Sequence, residues 1–320
     1  MQPLEAIPLT EVLAARNRIR DTASRTPLIR LNVDTAADIY LKLENLQPIG
    51  SFKIRGSGNV MLKQQRAVLH KGVYTASAGN MAQGVAWNAR RLGIPCHVVV
   101  PEAAPQTKLD AIERLGASII KVSYDEWWRV IVTHHFPGLD AVFIHPVSDP
   151  DVIAGNATIG LEILQDLPDV NTILVPYGGG GLSCGIASVI RAEKPDAKVY
   201  ACEVETAAPF AASLERGEPV EIERTPSFID GIGGKSVLAE MWPLASTVLS
   251  GSLVTSVDRV AGAIRTLVER NHIVAEGAGA TPVAVALTGD AGIGKVVCVV
   301  SGGNIDASNL ATVLRGGIPA

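Results

Sequence analysis

Between Val73 and Val122 the chain repeats a pattern that admits few folds: a short apolar run, a turn or loop, a stretch with helical spacing, a glycine, and another apolar run. Val73-Tyr74-Thr75-Ala76 reads as a strand and Ser77-Ala78-Gly79-Asn80 as a tight turn. Residues 81–92 read as a helix, with apolar residues at 81, 82, 85, 86, 89 and 92, closed by Gly93. Cys96 to Val100 is the next strand, which makes a βαβ unit. A helix over 106–115 and a strand over 118–122 extend the series.

The rhythm returns later. Thr172 to Pro176, Lys198 to Glu203 and Lys295 to Val300 are strand-like runs, and 182–192 has the spacing of a helix. Upstream, Leu9 to Arg16 reads as a short capped helix, Thr26-Pro27 opens an extended segment, and Ile39 to Glu44 alternates like a strand, followed by a loop carrying Lys53. The pattern weakens between Trp127 and Pro150. This organisation predicts an α/β chain of two open-sheet lobes. A small one over 50–150 is inserted in a large one made of 1–49 and 151–320, with a ligand cleft between them.

Composition narrows the function. A chain with 47% hydrophobic but only 4% aromatic residues suits strands covered on both faces by helices. A net charge of −4 offers no basic stripe for nucleic acid, and no apolar run reaches the length of a bilayer span, so a cytoplasmic protein with neither partner is expected. Cys96, Cys184, Cys202 and Cys298 are scattered without a C-x-x-C pair, which argues against a disulfide framework. None of the six histidines has metal-ligand spacing, and structural roles are expected for all.

Four stretches carry candidate chemistry. Lys53 lies between Phe52 and Ile54, where burial would disfavour its charged form and poise the amine as nucleophile or base; snorkelling, or a water-facing position on an alternating segment, are the plainer readings. Gly178-Gly179-Gly180-Gly181, between a buried strand and a helix, lets main-chain amides converge on an anion such as phosphate. Ser77-Ala78-Gly79-Asn80 opens a helix and could bind a carboxylate, or simply cap it. Ser301-Gly302-Gly303-Asn304 ends a strand, the usual rim of a ligand crevice in an open α/β sheet. The near P-loop at 289–296 is set aside, because Val296 replaces the magnesium-binding hydroxyl and a strand follows it.

In order and spacing these stretches resemble the pyridoxal-phosphate enzymes of fold type II, the tryptophan-synthase β fold, and within them the threonine/serine dehydratase and serine racemase branch. The likeness spans nearly the whole chain. Its markers are Lys-Leu-Glu (42–44), Gly-Ser-Phe-Lys-Ile-Arg-Gly (50–56), Ser-Ala-Gly-Asn (77–80), Val-Ile-Ala-Gly (152–155), Gly-Gly-Gly-Gly-Leu (178–182), Glu-Gly-Ala-Gly-Ala (276–280) and Ser-Gly-Gly-Asn (301–304).

The resemblance implies roles. Lys53 would hold pyridoxal 5′-phosphate as a Schiff base and then take the substrate's Cα proton. Phe52 would pack on the cofactor ring, Asn80 would bond its phenolic oxygen, Gly178, Gly179, Gly180, Gly181 and Leu182 would hold its phosphate, and Glu276 and Ser301 would complete the site, Ser301 facing the pyridine nitrogen. Ser77, Ala78, Gly79, Asn80 and Met81 would receive the amino-acid substrate. The implied reaction turns an L-3-hydroxy amino acid, foremost L-threonine or L-serine, into a 2-oxo acid and ammonia, in a homodimer or tetramer. With the chain ending soon after Asn304, isoleucine feedback through a C-terminal regulatory domain is not expected.

Three positions depart from the branch. Met81 stands where it has His, which opens a bulkier substrate such as phenylserine as an alternative. Ala78 stands where the racemases have Ser, so racemisation is the weaker alternative. Of the branch's divalent-metal set Glu203 and Ala207 match, but Pro209 takes the place of an Asp, so the set is incomplete.

Overall fold

A computed structural model describes residues 2–319, in which ten strands form two separate sheets. In chain order they are β1 (Leu28–Arg30), β2 (Ala37–Leu43), β3 (Val73–Ala76), β4 (Cys96–Pro101), β5 (Ser118–Val122), β6 (Val142–Phe143), β7 (Thr172–Pro176), β8 (Lys198–Val204), β9 (Gly251–Thr255) and β10 (Gly294–Val300). One sheet runs β1-β2-β10-β7-β8-β9 and the other β5-β4-β3-β6. Every pairing is parallel except β1 with β2, which is antiparallel.

The central strands are continuous apolar runs because helices cover both of their faces. Along β10, Val297 and Val299 enter a core shared with Ile173 and Val175 of β7. The intervening Val296, Cys298 and Val300 enter the opposite core, with Leu174. That period of two is the pleat expressed in side chains. Each fully buried aliphatic side chain there contributes about 1.5–3 kcal/mol. All four cysteines are buried and free, and they pack as small apolar side chains.

Three helices join the sheets through glycines. The Lys53–Lys63 helix packs on the Pro150–Asp166 and Asn80–Leu92 helices. A Cβ on Gly155 would lie 2.5 Å from the Arg55 carbonyl oxygen, one on Gly56 2.8 Å from Val152, and one on Gly84 3.0 Å from the Lys53 carbonyl oxygen. The backbones approach closely, so the first turn of the Lys53–Lys63 helix is gripped on two sides.

Some local expectations change. Lys53 lies not in a loop but at the first residue of an eleven-residue helix. The N-terminal helix runs Leu9–Ile19, longer than expected, and starts after Pro8 with no side-chain cap. The stretch without clear pattern holds a helix, Tyr124–Thr133, whose start is set by Ser123 accepting the N–H of Glu126 at 3.2 Å.

Candidate active site

The carboxyl ends of β3, β7 and β10 open on one cleft of about 1090 Å³ lying between the two sheets. Lys53 projects into it. Its ammonium donates to the Pro146 carbonyl oxygen at 2.7 Å and lies 5.2 Å from the centre of the Phe52 ring. Burial with no carboxylate beside it brings this amine down to about 8, so a useful fraction is neutral near physiological pH.

Pro146 is held by a histidine. His145 Nδ1 accepts the N–H groups of Val147 (3.0 Å) and Ser148 (2.7 Å), which leaves its proton on Nε2, towards the Ile131 carbonyl oxygen at 3.3 Å. Burial, with the tilted His134 ring 4.4 Å away, pushes His145 down to about 3, so it stays neutral and structural. The turn it fixes also shapes the glycine loop. A Cβ on Gly179 would lie 2.5 Å from the Val147 side chain, one on Gly181 2.8 Å from the Val147 carbonyl oxygen, and Gly180 has φ +93°. Gly178 to Leu182 then lead into the Ser183–Glu193 helix, whose N-terminus has no side-chain cap; the Cys184 N–H donates to the Gly180 carbonyl oxygen at 2.9 Å, while the amides of the loop and of Ser183 are available to an anion.

The small sheet supplies a second free helix start. Gly79, not a side chain, is the cap residue of the Asn80–Leu92 helix. Ser77 Oγ instead accepts the Gly79 N–H at 3.3 Å. Ordinary side-chain capping of this helix is therefore absent, and its first-turn amides are open to a carboxylate. Ala78 is half-buried at the cleft wall, while Met81, 2% exposed, packs in the core beside the four-stranded sheet and also touches the cleft.

Across the cleft, Ser301 is buried at the end of β10, and its carbonyl oxygen accepts the Phe52 N–H at 3.0 Å. Asn80 donates to Glu276 at 2.7 Å. Burial raises the Glu276 carboxyl to about 7, against the pull of bonds from Asn80 and the Asn304 main chain. A Cβ on Gly302 would collide with the Glu276 carboxylate, so a larger residue there would push that side chain aside. The structure thus brings all the expected cofactor and substrate residues to one cleft.

Sequence reasoning missed several neighbours. Tyr124 and Trp127 form part of the outer wall, and Lys108 pairs with Asp230 across the mouth. Beneath the site lies a buried charge network. Arg55 bonds Glu44 through Nε and Nη2, each at 2.8 Å, and Glu162 at 2.7 and 2.9 Å; Lys42 reaches Glu162 at 2.5 Å. Lys42, Glu44 and Arg55 sit in two of the motifs quoted above, but Glu162, 107 positions from Arg55, had no local signal.

The metal set fails on its first member. Glu203 is fully buried, and its carboxylate accepts Phe210 N–H (2.9 Å), Ala211 N–H (2.8 Å) and Ser252 Oγ (2.6 Å). It caps the Pro209–Arg216 helix, where Pro209 at the first position offers no oxygen ligand from its side chain. These residues do not fit a divalent cation.

A lysine amine, a glycine cradle for an anion and an uncapped helix start for a carboxylate, on two α/β sheets, define a pyridoxal-phosphate site. Residues 19–302 match the family of pyridoxal-phosphate dependent enzymes, and the chain belongs to that family. Within it, the chain falls in the threonine/serine dehydratase and serine racemase branch. It is 41% identical to an L-threonine ammonia-lyase of Geobacter sulfurreducens, over 98% of this chain and 80% of the relative. Maize serine racemase superposes with a TM-score of 0.87 at 30% identity, covering 97% of each chain. The processed form of threonine deaminase isoform 2 from Solanum lycopersicum gives 0.86 at 29% identity, covering 99% of this chain and 96% of that one. Among the described residues, no helix is long and apolar enough to cross a membrane.

Proposed function

We propose that the chain deaminates an L-3-hydroxy amino acid, foremost L-threonine or L-serine, to the 2-oxo acid and ammonia. The observation that carries this is the placement of Lys53: an amine near pKa 8, without a counter-ion, in a cleft that also presents an anion cradle and a carboxylate-sized helix start. In this reading residues 1–49 and 151–320 form the large unit and 50–150 the small one, and the protein works as a homodimer or tetramer.

Gly178 to Leu182 would hold the phosphate of pyridoxal phosphate, Phe52 would pack on its ring, and Asn80 and Ser301 would address its phenolic oxygen and its nitrogen. When bound, pyridoxal phosphate supplies an electron sink for the pair left at Cα. The chain's own residues do the rest. Ser77 and the main-chain amides after Gly79, that of Asn80 among them, fix the substrate carboxylate, which sets the Cα–H bond towards Lys53. Lys53 takes that proton. The β-hydroxyl leaves as water, and water then replaces nitrogen at Cα, so L-threonine yields 2-oxobutanoate and ammonia with atoms balanced.

The wall formed by Met81, Tyr124, Trp127, Ala103 and Ala104 favours a second reading, a bulkier 3-hydroxy amino acid such as phenylserine. The test is a panel of L-3-hydroxy amino acids assayed for ammonia and 2-oxo acid. Threonine or serine is expected to head the panel. Turnover of none of them would overturn the assignment.

A further inference from the structure

Asn304 lies outside the set of expected contacts, yet its hydrogen bonds determine how Asn80 faces the cleft. Asn304 Nδ2 donates to the Ile49 carbonyl oxygen at 2.9 Å. A main-chain carbonyl can only accept, so that atom of Asn304 must be its nitrogen. The same nitrogen lies 2.7 Å from Asn80 Oδ1, which must therefore be the oxygen. The Asn80 nitrogen is left to donate to Glu276 Oε1 at 2.7 Å. Four groups from four separate segments, the Ile49 carbonyl, the Asn304 and Asn80 amides and the Glu276 carboxyl, thus form a chain whose polarity propagates from one backbone oxygen.

An amide nitrogen has two hydrogens, and Glu276 uses one. Asn80 Oδ1 is committed to Asn304, so the second Asn80 N–H is the group free to act in the cleft, and what it can serve is an acceptor. We propose that Asn304, acting with Glu276, is a positioning residue that locks the Asn80 amide as a donor towards the phenolic oxygen of pyridoxal phosphate. The inference rests on the cofactor reading of this cleft and deepens it. Without the lock, Asn80 can turn its carbonyl towards that oxygen, where acceptor would face acceptor.

Asn304→Asp removes the donor and supplies an acceptor in nearly the same volume, so it reverses the polarity at its source. Asn304→Ala removes the donor and leaves the amide free to choose. The probes are pyridoxal 5′-phosphate and its 3-deoxy analogue, which lacks the phenolic oxygen. Each is titrated into the cofactor-stripped full-length protein, with binding read from visible absorbance and tryptophan fluorescence.

Asn304→Asp is expected to weaken pyridoxal phosphate by about tenfold to a hundredfold, the range for a hydrogen bond to a charged group. Asn304→Ala is expected to lose less, and the analogue should bind wild type and both variants within about twofold. That contrast is beyond a merely structural role, because damaged packing weakens both phosphates alike, and a smaller loss in the same direction for Asn304→Ala, which adds no charge, excludes simple repulsion of the phenolic oxygen. Equal losses for the two probes, or unchanged binding of pyridoxal phosphate, would overturn the assignment of Asn304. Should Asn304→Asp not fold, the Asn304→Ala ratio decides by the same criterion. Failure of the wild type to take up pyridoxal phosphate at all would instead refute the cofactor reading, and the inference with it.

Discussion

Replacing Arg55 with methionine keeps the length of the side chain and removes its charge from the network beneath Lys53. In the native protein two cations, Lys42 and Arg55, balance two buried carboxylates, Glu44 and Glu162. After the substitution Lys42 alone faces both, and Glu44 keeps only Thr26 Oγ1 at 2.6 Å and Gln47 Nε2 at 3.0 Å. Breaking a buried pair by removing one partner costs about 3–5 kcal/mol. At about 2 °C per kcal/mol for a chain of this size, the apparent Tm should fall by about 6–10 °C. The sign of the pH dependence follows from the same charges. In the wild type, burial alone would raise the Glu162 carboxyl, but Arg55 and Lys42 hold it below the ordinary value. Its contribution is therefore present above the unfolded pKa and lost as pH falls through the folded one. In the variant burial dominates and a folded carboxyl rises. Stability is then lost as pH rises above the unfolded value, and the deficit should shrink from pH 7 towards about pH 4.5. Thermal and urea unfolding across that range measure it. A Tm change below about 2 °C, or a deficit independent of pH, would refute the assignment of the network as a stabilising anchor.

Because Glu203 is spent on capping the Pro209–Arg216 helix, activity should survive exhaustive chelation; loss restored specifically by magnesium or calcium would contradict this. Ala78 offers no proton donor, so the wild type should eliminate with little exchange to the D-amino acid, while Ala78→Ser should gain measurable exchange at Cα in deuterated water. Met81→His should shift kcat/KM from phenylserine towards threonine by about tenfold or more if the thioether lines the substrate pocket, and an unchanged ratio would confine Met81 to the core.

Strands β2, β3, β4, β5, β7, β8 and β10 were legible as strand-like runs, and an unbroken apolar run such as Val296 to Val300 marks a strand buried on both faces, whichever side chain meets which core; β6 and β9, at the sheet edges and only partly buried, carried no such run and were missed. The helix that carries Lys53 was not legible either. Gly56 and Gly58 are poor helix formers, and they are there for close approach: Cβ atoms on them would lie 2.8 Å from Val152 and 2.9 Å from Thr22. Local propensity yields to packing at this point, and packing is invisible in a window of ten residues. The Tyr124–Thr133 helix was missed as well, although Ser123 followed three residues later by Glu126 is a capping signal. The residues that meet in the cleft could be named from their motifs, but their supports could not. Pro146, His145, Glu162 and the Asn304 side chain act through partners 93, 14, 107 and 224 positions away. Even the free start of the Asn80–Leu92 helix required the structure, because Ser77 was an equally good cap on paper.

The central claim is that the amine of Lys53 carries the cofactor. Borohydride reduction of the pyridoxal-phosphate-loaded protein, followed by proteolysis and mass spectrometry, locates that bond directly. A pyridoxyl adduct is predicted on the peptide containing Lys53. Lys53→Ala should lack the adduct, the visible absorbance of the bound cofactor and turnover together. An adduct mapped to another lysine, or substantial elimination activity in Lys53→Ala, would contradict the account.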